Sequence, residues 1–255
     1  MSLKHLKKKP LVEAILEIRW DLQGPLNMQV DPHYKILLGR LFDRLSSEYK
    51  THQALSTASI PDEMAGYMVQ HQFRIRENDW PLVQVGPGII TLNETTAYTW
   101  NDFGNRARKV VSEFYSAYPG KESLRVNNLL LRYINAIEFD YEKESLVKFL
   151  NEKMSVAIGL PKTLFLTGNV TETPIGLNWQ VIFPLSNPKG VILFKYATGK
   201  KADIPALIFE ISVQTAGEDI PTMPGGFENW IEMAHDVIED WFFKLIAGEL
   251  EKRFT

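Results

Sequence analysis

Leu11-Val12-Glu13-Ala14-Ile15-Leu16-Glu17-Ile18-Arg19-Trp20 alternates with a period of two. Val12, Ala14, Leu16, Ile18 and Trp20 fall on one side; Glu13, Glu17 and Arg19 fall on the other, with Ile15 between them. Side chains of a strand point alternately to opposite faces, so this stretch predicts a strand with one buried and one polar face. A second such stretch runs from Leu129 to Phe139. Leu131, Tyr133, Asn135, Ile137 and Phe139 share its apolar side, and Arg132 and Glu138 lie opposite. A half-buried strand needs an antiparallel neighbour and a cover for its apolar face, which sets the fold class as α+β.

The elements after each stretch follow the same order. After the first, Asp31-Pro32 opens a helix carrying Tyr34, Leu37, Leu38, Leu41, Phe42 and Leu45. Strands are then expected at Ala54 to Ile60, Tyr67 to Arg76, Leu82 to Val85 and Ile89 to Asn93. A helix capped by Asn101 carries Phe103, Ala107, Val110, Val111, Phe114 and Tyr118 before Pro119-Gly120 stops it. After the second stretch come a short helix from Glu144 to Met154 and strands at Leu164 to Thr171, Leu177 to Phe183, Gly190 to Ala197 and Leu207 to Gln214. A helix from Phe227 to Phe254 closes the chain. Corresponding strands lie about 110 to 118 positions apart. The expectation is a duplicated β-α-β(3–4)-α plan, 1–120 and 121–255, packed as one globular unit. It would form one antiparallel sheet with helices on one face, an order that resembles the TATA-binding protein and other helix-grip folds. Such a likeness of order carries no function.

Composition narrows the chemistry. The chain has 255 residues, 45% hydrophobic and 23% charged, enough apolar material for a substantial core. Its net charge of −3 gives no global field for nucleic acid, and Lys7-Lys8-Lys9 reads as a solvated arm. Without cysteine there are no disulfides, thiolate metal sites or cysteine nucleophiles. No apolar run approaches the roughly 18 residues of a membrane span, and the start lacks a signal-peptide core, so a cytoplasmic location is expected. His5, His33, His52, His71 and His235 are scattered, and neither P-loop, dinucleotide-binding nor nucleophile-elbow motifs occur. No cofactor and no metal are expected.

The polar strand faces are the first place to look for a site. Glu13, Glu17, Arg19, Arg132, Glu138 and Glu210 gather there, and clustered arginines can hold an anionic group through paired hydrogen bonds. Across the centre of the sheet, Glu17 and Arg19 are expected near Arg132 and Glu138. His235 is a further candidate, lying inside the apolar stripe of the last helix beside Ile231 and Ile238. The segment Gly217 to Gly226, rich in Gly and Pro, is expected to join any contact made by the Arg132 face.

Several short stretches together resemble a sporadically distributed prokaryotic family of uncharacterised proteins of this length. They are Pro10-Leu11-Val12-Glu13, Glu17-Ile18-Arg19, Val83-Gln84-Val85-Gly86-Pro87, Trp100-x-x-Phe103, Leu131-Arg132-Tyr133-Ile134-Asn135, Ile208-Phe209-Glu210-Ile211 and the late His235. The resemblance implies a cytoplasmic prokaryotic protein with no activity to carry over. It adds weight to Glu13, Arg19, Arg132, Tyr133, Asn135 and His235. The leading expectation is a non-enzymatic binding or interaction module, partnered by an unknown protein or a small anionic ligand, with a homodimer as the default assembly. The alternative is an enzyme acting on a phosphorylated or other anionic small molecule at the polar sheet face.

Overall fold

A computed structural model of the chain describes residues 6–25, 28–95, 98–166 and 168–255. His5 and the other residues before Leu6 lie outside the described residues, as does Thr167 within the strand expected at Leu164 to Thr171. Nine strands form one antiparallel sheet: β1 (Leu11–Trp20), β2 (Thr51–Ala54), β3 (His71–Arg74), β4 (Leu82–Gly86), β5 (Ile89–Glu94), β6 (Val126–Glu138), β7 (Asn178–Ser186), β8 (Lys189–Lys201) and β9 (Ile204–Ala216). Their order is β2-β3-β4-β5-β1-β6-β9-β8-β7. The two stretches with clear alternation are therefore adjacent at the centre, and on each side the remaining strands run in chain order from the edge inward, β2 to β5 and β7 to β9.

One face of the sheet is covered by helices α1 (Tyr34–Leu45), α2 (Trp100–Ala117), α3 (Leu146–Met154), α4 (Phe227–Ile246) and α5 (Glu249–Phe254). The covered face of β1 presents Ala14, Leu16, Ile18 and Trp20, all at most 1% exposed. Beside them lie Leu129, Leu131, Tyr133, Asn135 and Ile137 of β6, as the alternation predicts. Removing each large apolar side chain from water contributes about 1.5–3 kcal/mol, so this face dominates the stability of the fold. At its edge the buried Asp31 carboxylate accepts from Trp20 Nε1 (2.8 Å), Tyr118 Oη (3.0 Å) and the His33 amide (2.9 Å). One side chain thereby ties the end of β1, the end of α2 and the entry to α1.

Local chemistry shifts several boundaries. Asp31 does not cap α1 directly, because its carboxylate serves Trp20 and Tyr118 as well and the helix starts after His33. α2 is capped by Thr99, whose Oγ1 accepts from the Asp102 amide, two residues earlier than Asn101 would place it. The strand expected at Ala54 to Ile60 is a 3-10 turn, Ser56–Ser59, behind the short β2. β3 is confined to His71–Arg74 because Tyr67 takes a positive φ of 60°, which no strand residue adopts. Lys162–Phe165 forms another 3-10 turn where a strand was expected, and Gly168 at φ 71° breaks the extended path beyond it. The final helix is two, α4 and α5, divided at Gly248 with φ 103°.

The pairing of β1 with β6 contains the irregularity that shapes the site. Leu11 pairs with Asn135, but Glu13 pairs with Ile134, so Val12 is an extra residue bulged out of the ladder. Strict alternation would put Leu11 on the polar face with Glu13. The bulge inverts that parity and carries Leu11 to the helix side, opposite Asn135. Val12, expected on the fully buried face, is accordingly only half-buried.

Candidate functional site

On the helix side of the sheet lies a cavity of about 430 Å³. Its walls come from five separate parts of the chain: Leu6 and Lys9 to Leu11, Tyr98 to Asn101, Tyr133 and Asn135 on β6, Ile211 on β9, and α4 from His235 to Phe243. Leu11 reaches it because of the bulge. Tyr98 and Trp100 reach it because Thr99 caps α2 at that point, and His235 because it occupies an apolar position of α4. Most of the lining is hydrocarbon and aromatic ring, with a few polar groups set among it, as small-molecule sites generally are.

Those polar groups have defined geometry. Tyr98 Oη donates to Tyr133 Oη at 2.7 Å, and Tyr133 Oη lies 3.0 Å from His235 Nδ1. The His235 ring is stacked on Trp100, with centroids 3.7 Å apart and planes 9° from parallel. Trp100 Nε1 donates to Glu232 Oε2 at 3.2 Å, and Glu232 is also paired with Arg108, so the indole is held on its edge as well as its face. Burial pushes the His235 pKa down to about 4, so the ring is neutral at pH 7. Burial raises both tyrosines above the ordinary phenol range. Glu239 is raised by burial and then by the nearby Asp236 charge.

Asn135 is the anomaly. It is 2% exposed, and its Nδ2 has no hydrogen-bond partner. A buried donor left unpaired costs about 1–3 kcal/mol, and such groups in folded proteins call for an explanation. The amide lines the cavity, so a ligand entering there can supply the missing acceptor.

The charged residues expected to form a site on the opposite face are placed differently. Glu17 binds Arg19 at 2.7 Å, and Arg19 lies over the Tyr67 ring at 5.5 Å. Glu13 accepts from Asn93 Nδ2 at 2.8 Å. Arg132 is 3.2 Å from Glu210, which lies diagonally across β6 and β9, although its Nε–H is not aimed at the carboxylate oxygen. Glu138 is exposed near the end of β6. The register sets Arg132 opposite Ile15 and diagonal to Glu17 on this face, while Glu138 lies beyond the end of the β1–β6 pairing, away from Glu17 and Arg19. Of the seven candidates only His235 belongs to the cavity. The segment Gly217 to Gly226 does not line it either; Ile220 and Met223 from this segment pack against the core.

Tyr98, Trp100, Leu11 and Glu239 escape a reading by charge. The signal that could find the site is misfit: Asn135 and His235 are polar residues at positions where strand and helix periods demand hydrocarbon. Among the described residues, no group of three or more His, Asp or Glu is arranged to hold a metal ion, and no helix is long and apolar enough to cross a membrane. No protein-family model matches the chain, and no curated protein is similar to it in sequence.

Proposed function

We propose that this protein is a binding module whose helix-side cavity takes a small, largely apolar molecule. The observation that carries the reading is the unpartnered Nδ2 of buried Asn135 on the wall of a 430 Å³ space. Stability alone favours hydrocarbon at such a position, so a retained amide argues for an occupant that pairs with it. The polar sheet face is the weaker candidate, since Glu17 and Arg19, Glu13 and Asn93, and Arg132 and Glu210 already face one another there. The mirrored strand order about β1 and β6 supports reading the fold as a helix-grip plan built from two similar halves, 1–120 and 121–255, with the ligand held between sheet and helices. The resemblance to the sporadically distributed prokaryotic family fits this reading, because its landmarks Trp100, Tyr133, Asn135 and His235 line one cavity.

Titration with Nile red, a neutral apolar dye, tests the proposal. Saturable binding of one dye per chain is expected, together with its loss in Leu11→Trp, which fills the cavity from the half-buried bulge. Absence of saturable binding, or undiminished binding by a Leu11→Trp protein with unchanged melting temperature, would overturn it.

A further inference from the structure

We infer that the cavity recognises the carboxamide or lactam group of its ligand, with Asn135 and His235 donating to the carbonyl oxygen and Glu239 accepting from the ligand N–H. This rests on the cavity being a ligand site, as proposed above, and adds the chemistry of what it selects.

Each phenol has one proton to donate. The Tyr98 and Tyr133 hydroxyls are hydrogen-bonded at 2.7 Å, and Tyr133 Oη engages His235 Nδ1 at 3.0 Å. A neutral imidazole carries one N–H, and the Glu239 carboxylate beside Nε2 favours the tautomer that places it there. That nitrogen lies 3.9 Å from Glu239 Oε1, beyond hydrogen-bond length. His235 is 6% exposed and Asn135 2%, so water does not readily satisfy either donor. The cavity lining therefore holds the unpartnered buried donor Asn135 Nδ2, the ring nitrogen His235 Nε2 and the Glu239 carboxylate.

A carbonyl oxygen has two lone pairs and suits two donors. An amide places an N–H beside that oxygen, which suits the acceptor. A ketone or ester satisfies the donors but leaves Glu239 without a donor. A carboxylate brings a second negative charge towards Glu239. The only basic side chain in the lining is Lys9, which is exposed and already donates to the Tyr98 carbonyl at 2.7 Å. Lys9 and Glu239 cancel formally, so no net positive field draws an anion. The remaining wall, with Trp100, Phe242 and Phe243, suits an aromatic or aliphatic body.

The test holds the body constant and varies the head. Competition against Nile red is measured for naphthalene-2-carboxamide, 2-acetylnaphthalene, 2-naphthoate and 2-methylnaphthalene. The carboxamide is expected to bind at least tenfold more tightly than the naphthoate and the hydrocarbon, with the ketone between. In Asn135→Leu the advantage of carboxamide over hydrocarbon should disappear while hydrocarbon binding persists, which also reports that the variant is folded. In Glu239→Ala, at a half-exposed position, carboxamide and ketone should become equal. Equal binding of carboxamide and hydrocarbon by the unmodified protein, or a preference for naphthoate, would overturn the inference and leave the cavity reading standing. Failure of every compound and of Nile red to bind would remove the cavity reading, and this inference with it.

Discussion

Trp100 and His235 lie face to face, 3.7 Å between ring centroids, one on the first residue of α2 and the other in the middle of α4. The contact joins a helix from each half of the chain and forms one wall of the cavity. It also shields the imidazole from water, which is why the ring resists protonation.

His235 gives a pH dependence whose sign is fixed. Its folded pKa is about 4 against an ordinary 6.5, so between those values the unfolded chain holds more protons than the folded one. The stabilisation is fully present above pH 6.5 and is lost as pH falls through 4. Its full size is on the order of 3 kcal/mol. Urea denaturation of His235→Gln from pH 7 to pH 4 should show that increment missing. A variant whose stability follows pH in the same way as that of the unmodified protein would count against the assignment.

Glu94 works in the opposite direction. It is 3% exposed on the covered face of β5, and burial, then the charge of Asp102, raise its pKa to about 7. The folded state therefore holds the extra proton between pH 4.5 and 7. Its contribution is complete below pH 4.5 and is lost as pH rises through 7. Gln reproduces the neutral form, so Glu94→Gln should match the unmodified protein at pH 4.5 and exceed it at pH 8 by roughly 1–3 kcal/mol. Where the two windows overlap, the slopes from His235 and Glu94 oppose each other. The unmodified protein should have a flat stability profile from pH 4.5 to 6.5, and Glu94→Gln should uncover a rise with pH.

Asn135→Leu should leave the free protein as stable or more stable, by up to about 1–3 kcal/mol, because it removes an unpaired buried donor and keeps similar volume. The melting temperature in the absence of any ligand reads this directly. A clear fall would mean that Asn135 is paired within the fold and is a packing residue.

The fold was legible where period governs it. Ala14, Leu16, Ile18 and Trp20 in β1, and Leu129 to Ile137 in β6, lie on the faces that their alternation assigns. Strand boundaries were less legible, because single backbone angles at Tyr67, Gly168 and Gly248 decide them. The site was hidden for a different reason. Charge drew the reading to Glu13, Glu17, Arg19, Arg132 and Glu210, where long polar side chains mainly serve one another. Leu11 reaches the cavity only through a bulge that alternation cannot foresee, and Tyr98 and Trp100 join it only through tertiary packing. Asn135 and His235 were visible as misfits without being visible as neighbours.

β7 forms one edge of the sheet and contains no charged residue between Asn178 and Ser186. Ile182 there is 53% exposed. Long uncharged edges invite strand addition, and a lysine is a common block. Ile182→Lys should change stability by less than about 0.5 kcal/mol and reduce the light scattering that develops on heating below the melting temperature. Unchanged scattering would place the aggregating segment elsewhere.

The central position of β1 has a consequence for biosynthesis. Among the described strands, β1 leaves the ribosome first, and it is the middle strand of the finished sheet. It can pair with β5 once Glu94 has emerged, but its other edge waits for β6, with nearly half the chain in between. Closing so long a loop is slow relative to local pairing. The cavity waits longer still, since its walls draw on residues near the start of the chain and on α4 near its end. A nascent chain can hold much of its secondary structure and still be unable to bind, and a ligand present during synthesis would act on the last assembly step alone.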